Sequence, residues 1–189
     1  MKTTRFCLVR HGETDWNVAR RLQGHTDIPL NQHGIAQAIQ MAKALKAIDL
    51  QFDVLYSSDL QRAANTAGAI EEKFGAKAII DQQLRERHLG GLQGLTTEEG
   101  PQLKPDLWAI HLSRNLDHTL DGGESIKQFA IRIHAALENG AAAVVFDPAG
   151  MNNQFADHPQ CFAVENLAAE VGQLCSQWYG NPSKELSII

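Results

Sequence analysis

The run Leu8-Val9-Arg10-His11-Gly12-Glu13-Thr14 constrains this chain most, because an apolar segment breaks off abruptly into an arginine, a histidine and a glycine. A β-strand ending there presents Arg10 and His11 at its carboxyl end, where open parallel sheets hold their ligands. The pairing suits phosphate chemistry. Neutral imidazole can attack phosphorus near neutral pH, while a guanidinium stays charged and offers phosphoryl oxygens a planar fork of donors.

The periodicity beyond this run alternates between strands and helices. Arg5 to Val9 reads as a strand, and Ile35, Ala38, Ile39, Ala42 and Leu45 give a helical apolar stripe with Asn31 as its cap. Asp53 to Tyr56 reads as a second strand. Ser57-Ser58-Asp59 reads as a turn and cap, followed by a helix with Ala63, Ala67, Ile70 and Phe74 on its inner face. Ala78 to Ile80 is a short third strand, Leu84 to Leu95 a polar, glycine-rich loop lining a cleft, and Trp108 to Leu112 part of a helix. After Gly122-Gly123-Glu124-Ser125 comes a helix with Ile126, Phe129, Ile133 and Leu137 as its stripe. Ala142 to Phe146 has the unbroken apolar character of a buried parallel strand. This alternation predicts an α/β fold, three-layer α/β/α with a mainly parallel central sheet. At 189 residues, 43% of them hydrophobic, the chain fits one core, so residues 1–189 are expected to form a single domain.

Composition narrows the partners. A formal charge of −5 gives no basic field for a polyanion, which argues against nucleic acid, although a small anion needs only a local basic pocket. No stretch approaches the roughly 20 apolar residues of a membrane span, and the first residues lead into a strand without a signal-peptide core; a soluble, cytoplasmic protein is expected. Cys7, Cys161 and Cys175 make an odd number with no CxxC pair, which argues against a disulfide framework and a zinc knuckle. Cys7 reads as a buried small hydrophobe. The eight histidines form no metal-ligand spacing, so neither metal nor cofactor is expected.

Two further residues invite chemistry. Arg62 lies near the start of the second helix, where a basic side chain and the helix amino end can face one anion; its plain alternative is a solvated helix arginine. Glu86, in Leu84-Arg85-Glu86-Arg87-His88, can hand a proton to a leaving alkoxide or take one from water, or can be a surface acid paired with its neighbours.

Arg10-His11-Gly12-Glu13-Thr14, Trp16-Asn17, Gln23-Gly24, Asp27, Leu30, Gly34, the block Ser57 to Ala67, Leu84-Arg85-Glu86 and Gly122-Gly123-Glu124-Ser125 together resemble the histidine phosphatase, or phosphoglycerate mutase-like, superfamily. The resemblance covers residues 5 to about 139. It implies that His11 is a nucleophile forming a phosphohistidine, that Arg10 and Arg62 hold phosphoryl oxygens, and that Glu86 is the proton donor. Asn17, with backbone groups near Gln23 and Gly24, would complete the pocket. The implied substrate is a small phosphorylated metabolite, and no metal is implied. Leu84 to Thr96 is similar to the corresponding loop of cofactor-dependent phosphoglycerate mutases. Only 26 residues separate Thr96 from Gly123, however, which is more like the compact bacterial phosphatases; phosphatase is favoured over mutase.

The pattern breaks late. The superfamily carries a second histidine, before paired glycines and directly after a late strand, whereas here Asp147-Pro148-Ala149-Gly150 follow Ala142 to Phe146. An aspartate there would repel a phosphate dianion. His158, in Ala156-Asp157-His158-Pro159, lacks that context. All nine arginines precede residue 133, and residues 140–189 hold one lysine against five acids. Residues 140–189 are therefore an atypical C-terminal segment, through divergence or a shifted reading frame. The expected activity is metal-independent phosphomonoester hydrolysis. The alternatives are mutase-type transfer and a catalytically impaired relative that only binds phosphorylated ligands.

Overall fold

Among the described residues, four short strands, all parallel, form one sheet in the order β1-β4-β2-β3. They are β1 (Leu8–Val9), β2 (Leu55–Ser57), β3 (Ala78–Ile80) and β4 (Val144–Val145). The computed structural model describes residues 7–138 and 144–145. The expectations for Arg5, Asp147, His158 and the rest of the 140–189 segment, apart from Val144 and Val145, fall outside those residues.

Strand register positions everything that follows. Val144 pairs with Leu8 on one side and Tyr56 on the other, and Val145 with Val9 and Ser57. Val9 and Ser57 are therefore level, two strands apart, or roughly 10 Å at normal strand spacing. Both chains leave the sheet at the same carboxyl edge, β1 into His11 and β2 into Ser58 and Arg62. That edge is where an α/β sheet offers a crevice.

Helices α1 (Asp15–Val18) and α2 (Gln32–Ala47) follow β1, and α3 (Gln61–Phe74) connects β2 to β3. The Asn31 side chain accepts from the Gly34 amide and caps α2, as the sequence predicts. The buried face of α2 is not the expected one. Gly34, Ala38, Met41, Ala42 and Leu45 are buried, whereas Ile35 and Ile39 are 42% and 43% exposed. The helix is rotated so that Gly34 meets the loop after β1, as described below.

In α3, Ala63, Ala67 and Ile70 are buried as expected, and Phe74 stacks obliquely on Phe52. Its amino end is capped differently from the sequence reading. Leu60 occupies the cap position without a side-chain bond, and Asp27, from a distant loop, accepts from the Gln61 backbone at 2.7 Å and from its side chain at 3.0 Å. The Ser58 hydroxyl accepts from the Leu60 amide, and Asp59 turns away to Arg85.

Residues 84–95 also differ from the expected polar loop. Two single 3-10 turns, Gln82–Leu84 and Gly90–Leu92, bury Leu84, Leu89 and Leu92. Leu89 and Leu92 join Leu120 in a small core against Leu107 and Trp108. Helices α4 (Glu99–Leu103), α5 (Pro105–Ser113) and α6 (Ile126–Glu138) complete the described chain. Phe129 and Ile133 of α6 are buried, as the stripe predicts. Cys7 is half-buried, and burial pushes its thiol pKa up, consistent with a packing residue. Among the described residues no helix is long and apolar enough to cross a membrane, and no cluster of potential metal ligands occurs.

Candidate active site

His11 follows β1 by two residues and is 6% exposed. Its Nδ1 lies 2.7 Å from the carbonyl oxygen of Gly12. A carbonyl can only accept, so Nδ1 carries the proton and Nε2 carries the lone pair of the neutral ring. Gly12 is held in turn by α3. Its amide donates to the Thr66 hydroxyl at 3.1 Å, and that hydroxyl donates to the Arg62 carbonyl at 2.7 Å. Thr66 is wholly buried. One turn of helix separates it from Arg62, so the chain bearing the histidine and the chain bearing the arginine are tied through a single hydroxyl.

Two glycines make the approach of α2 feasible. A Cβ on Gly12 would sit 2.3 Å from the Gly34 oxygen, and a Cβ on Gly34 would sit 2.0 Å from the Glu13 oxygen. Only hydrogen fits on either side of this contact. Just beyond it, Thr14 caps α1 through a reciprocal pair: the Asn17 amide donates to the Thr14 hydroxyl, and the Thr14 amide donates to Asn17 Oδ1 at 2.9 Å. The Gln23 side chain, also buried, reaches the same hydroxyl at 3.1 Å.

Arg62 is a buried guanidinium, 2% exposed, rather than a solvated helix residue. It donates to the Gly24 carbonyl at 2.8 Å and the Thr26 carbonyl at 3.0 Å, and its Nη2 lies 3.4 Å from Glu86 Oε2. Gly24 adopts a φ of +52°, and a Cβ there would run into Gln93 Oε1 at 2.4 Å. The tight turn thus brings a carbonyl onto the arginine. Arg10 is exposed at the strand end.

Both arginines beside Glu86 in the sequence reach other groups. Arg85 reaches back to Asp59, with Nε 2.7 Å from Oδ1, and its hydrogen bonds hold the Asp59 carboxyl below its ordinary pKa. Arg87 Nε donates to the Glu124 carbonyl at 2.9 Å. The Glu86 carboxylate is left beside Arg62, at the carboxyl edge of the sheet.

Behind Glu86 lies a polar cluster that sequence reasoning did not single out as functional. His25 Nε2 lies 2.7 Å from the Glu86 carbonyl, and its ring meets His88 edge-on at 4.6 Å. Burial lowers the His25 pKa, against a raising effect of the Glu86 carbonyl bond. Glu124, in the quoted Gly-Gly-Glu-Ser run, pairs with Arg132 of α6. Burial alone would raise the Glu124 pKa, but hydrogen bonds from Arg132 and the His88 amide outweigh it and lower the net value. Thr66 had a local signal, its spacing of four from Arg62 on one helix face. His25 and Arg132 had none, because their partners are carbonyls of a loop tens of residues away.

A buried imidazole, a buried guanidinium and a carboxyl group lie at the carboxyl edge of the parallel sheet, an arrangement with the lone pair, cation and proton-carrying group that chemistry on a phosphoryl group can use. The sequence model of the histidine phosphatase superfamily (branch 1) matches residues 6–144, and the chain belongs to that superfamily. It is 41% identical over 139 residues to a metal-independent phosphoserine phosphatase of Arabidopsis thaliana, covering 72% of this chain and 58% of the relative. It is also 41% identical over 133 residues to phosphoglycerate mutase-like protein 4 of the same plant, covering 69% of this chain and 57% of that protein. The chain thus spans less than three fifths of the length of these curated relatives. Among solved structures it is similar to a mycobacterial glucosyl-3-phosphoglycerate phosphatase in complex with VO3. That match has a TM-score of 0.65 and 34% identity, over 76% of this chain and 75% of the other.

Proposed function

We propose that this protein is a metal-independent phosphomonoester hydrolase that works through a phosphohistidine on His11, as a cytoplasmic enzyme acting on a small phosphorylated metabolite. In this reading the described sheet is the centre of a three-layer α/β/α single domain. The observation that carries the reading is the hydrogen-bond chain from His11 through Gly12 and Thr66 to Arg62, with Glu86 beside the same guanidinium.

The chemistry runs in two displacements. The Nε2 lone pair forms a bond to phosphorus as the ester P–O bond breaks, and the departing oxygen keeps that electron pair and takes the proton of Glu86. Water then attacks the phosphohistidine and gives its proton to the Glu86 carboxylate. The P–N bond breaks, its electrons return to Nε2, and inorganic phosphate leaves. Arg10 and Arg62 stabilise the charge on the phosphoryl oxygens in both steps, with Asn17, Gln23 and Gly24 shaping the pocket floor. The relatives named as phosphatases support hydrolysis, and that with VO3 supports a site for a phosphate-like oxyanion.

A second reading has its own observation. Asp147-Pro148-Ala149-Gly150 stands where the superfamily pattern has its second histidine, which favours a chain that binds phosphorylated ligands and turns them over poorly. The mutase-like relative keeps phosphoryl transfer to a second hydroxyl as a variant of the first reading.

One experiment decides among these. The full chain is incubated with a radiolabelled phosphomonoester without added metal, and released phosphate and acid-labile protein label are measured beside His11→Ala. Turnover and label that both vanish in the variant support the hydrolase. Turnover that survives in His11→Ala overturns it. A folded chain that binds vanadate but shows neither turnover nor label is the binding protein. Transfer to an added alcohol exceeding release to water indicates the mutase.

A further inference from the structure

The guanidinium of Arg132 has all five of its N–H donors engaged. Nε donates to Glu124 Oε1 at 2.7 Å, and Nη1 donates to the carbonyls of Gln83 at 2.7 Å and Arg85 at 2.9 Å. Nη2 donates to the carbonyl of Glu86 at 3.2 Å and to Glu124 Oε2 at 2.6 Å. The group lies over the ring of Phe129, 5.3 Å from its centroid. With its five donors used, it has none to offer a substrate phosphate. Three of its acceptors are backbone carbonyls of the loop that carries Glu86, and the Glu86 carbonyl is gripped a second time by His25.

Glu124 aims the clamp. It takes Arg132 in a bidentate pair and accepts from the His88 amide at 2.8 Å, while its own amide donates to the His88 carbonyl at 2.9 Å. The backbone is therefore fixed on both sides of Glu86, at residues 83–86 by Arg132 and at residue 88 by Glu124. The second turn of α6, through Arg132, and the segment before the helix, through Glu124, hold this loop as a rigid bracket.

We infer that Arg132, oriented by Glu124, is a positioning residue for Glu86, setting the place from which its carboxyl group delivers a proton to the leaving oxygen. The inference rests on the proposed role of Glu86. It predicts a particular signature. A poor alkoxide leaving group needs the proton and a good phenolate leaving group does not, so misplacing the acid selectively penalises the alkyl ester. A residue that merely holds the fold penalises both esters alike.

The test compares kcat/KM for an alkyl phosphomonoester and for p-nitrophenyl phosphate in the full chain, Glu86→Gln and Arg132→Lys. Lysine keeps the charge but cannot reproduce the fork. General acid catalysis is worth about 100-fold to 10,000-fold, so Glu86→Gln is expected to lower the alkyl-to-aryl ratio by about 100-fold. Arg132→Lys is expected to lower it by about 10-fold or more, since small misplacements of reacting groups cost up to about 100-fold. Its vanadate affinity should move much less than this ratio.

An unchanged ratio in Arg132→Lys, beside a lowered ratio in Glu86→Gln, overturns the positioning role and leaves Glu86 as the acid. An unchanged ratio in Glu86→Gln, or a wild-type chain that turns over neither ester, overturns both. If Arg132→Lys does not fold, Glu124→Gln reads the same ratio with Arg132 still present.

Discussion

The backbone amide of Gly12 donates to the hydroxyl of Thr66 across 3.1 Å, and this one contact joins the loop after β1 to the helix that carries Arg62. The amide and the hydroxyl are both buried. Thr66→Val keeps the shape but removes the acceptor, leaving an N–H group without a partner, which costs about 1–3 kcal/mol. Thr66→Ser keeps the acceptor and should cost less. Urea unfolding of the two variants checks this; equal losses would mean that the methyl group, not the hydroxyl, holds the junction.

The Nδ1 bond to the Gly12 carbonyl leaves Nε2 as the nitrogen with a lone pair, the one the proposed attack on phosphorus requires. Nitrogen-detected NMR of the labelled protein should find the neutral ring of His11 protonated at Nδ1, whereas free imidazole side chains populate both tautomers. Finding the proton on Nε2 instead would remove the basis for nucleophilic attack by that atom.

Gly34 and Gly68 both lie in helices, yet opposite outcomes are expected on adding a methyl group. At Gly34 the new Cβ would meet the Glu13 oxygen at 2.0 Å, a clash with backbone that only a shift of α2 against the His11 loop can relieve. Overpacking of this kind costs about 1–3 kcal/mol, and the shift should also reduce labelling of His11. At Gly68 nothing lies within 4 Å, and Gly68→Ala should stabilise α3 by about 0.5–1 kcal/mol through helix propensity. Urea midpoints that move the same way in both variants would contradict this account of the glycines.

The same contact explains where sequence reasoning succeeded and where it did not. Local patterns were legible in β3, the cap at Asn31 and the stripes of α3 and α6, and contiguous motifs name the candidates His11, Arg62 and Glu86 that the structure brings to one edge of the sheet. The rotation of α2 was not, because a stripe chosen by side-chain size favours Ile35 and Ile39. Close approach at Gly34, which has no side chain to count, sets the buried face instead. The 3-10 turns that bury Leu84, Leu89 and Leu92 are too short to impose a period. Asp27 caps α3 from 34 residues away, and Arg132 looks like any polar position on α6 until its loop carbonyls are in view.

The cluster behind Glu86 makes stability sensitive to mild acid through His25. Burial is the main influence on this imidazole and places its folded pKa below the ordinary value of 6.5, against the raising effect of the Glu86 carbonyl. The folded chain therefore binds fewer protons at this site than the unfolded chain. Its contribution to stability is fully present above about pH 6.5 and is lost as pH falls through the lower, folded value. His111, also lowered chiefly by burial, acts with the same sign, so the wild-type slope alone does not isolate His25. The comparison that does is the difference in unfolding free energy between pH 7 and pH 5 for wild type and for His25→Gln. The variant should lose less on acidification, because its amide takes up no proton. Equal losses in the two proteins would show that His25 is not held neutral against the Glu86 loop.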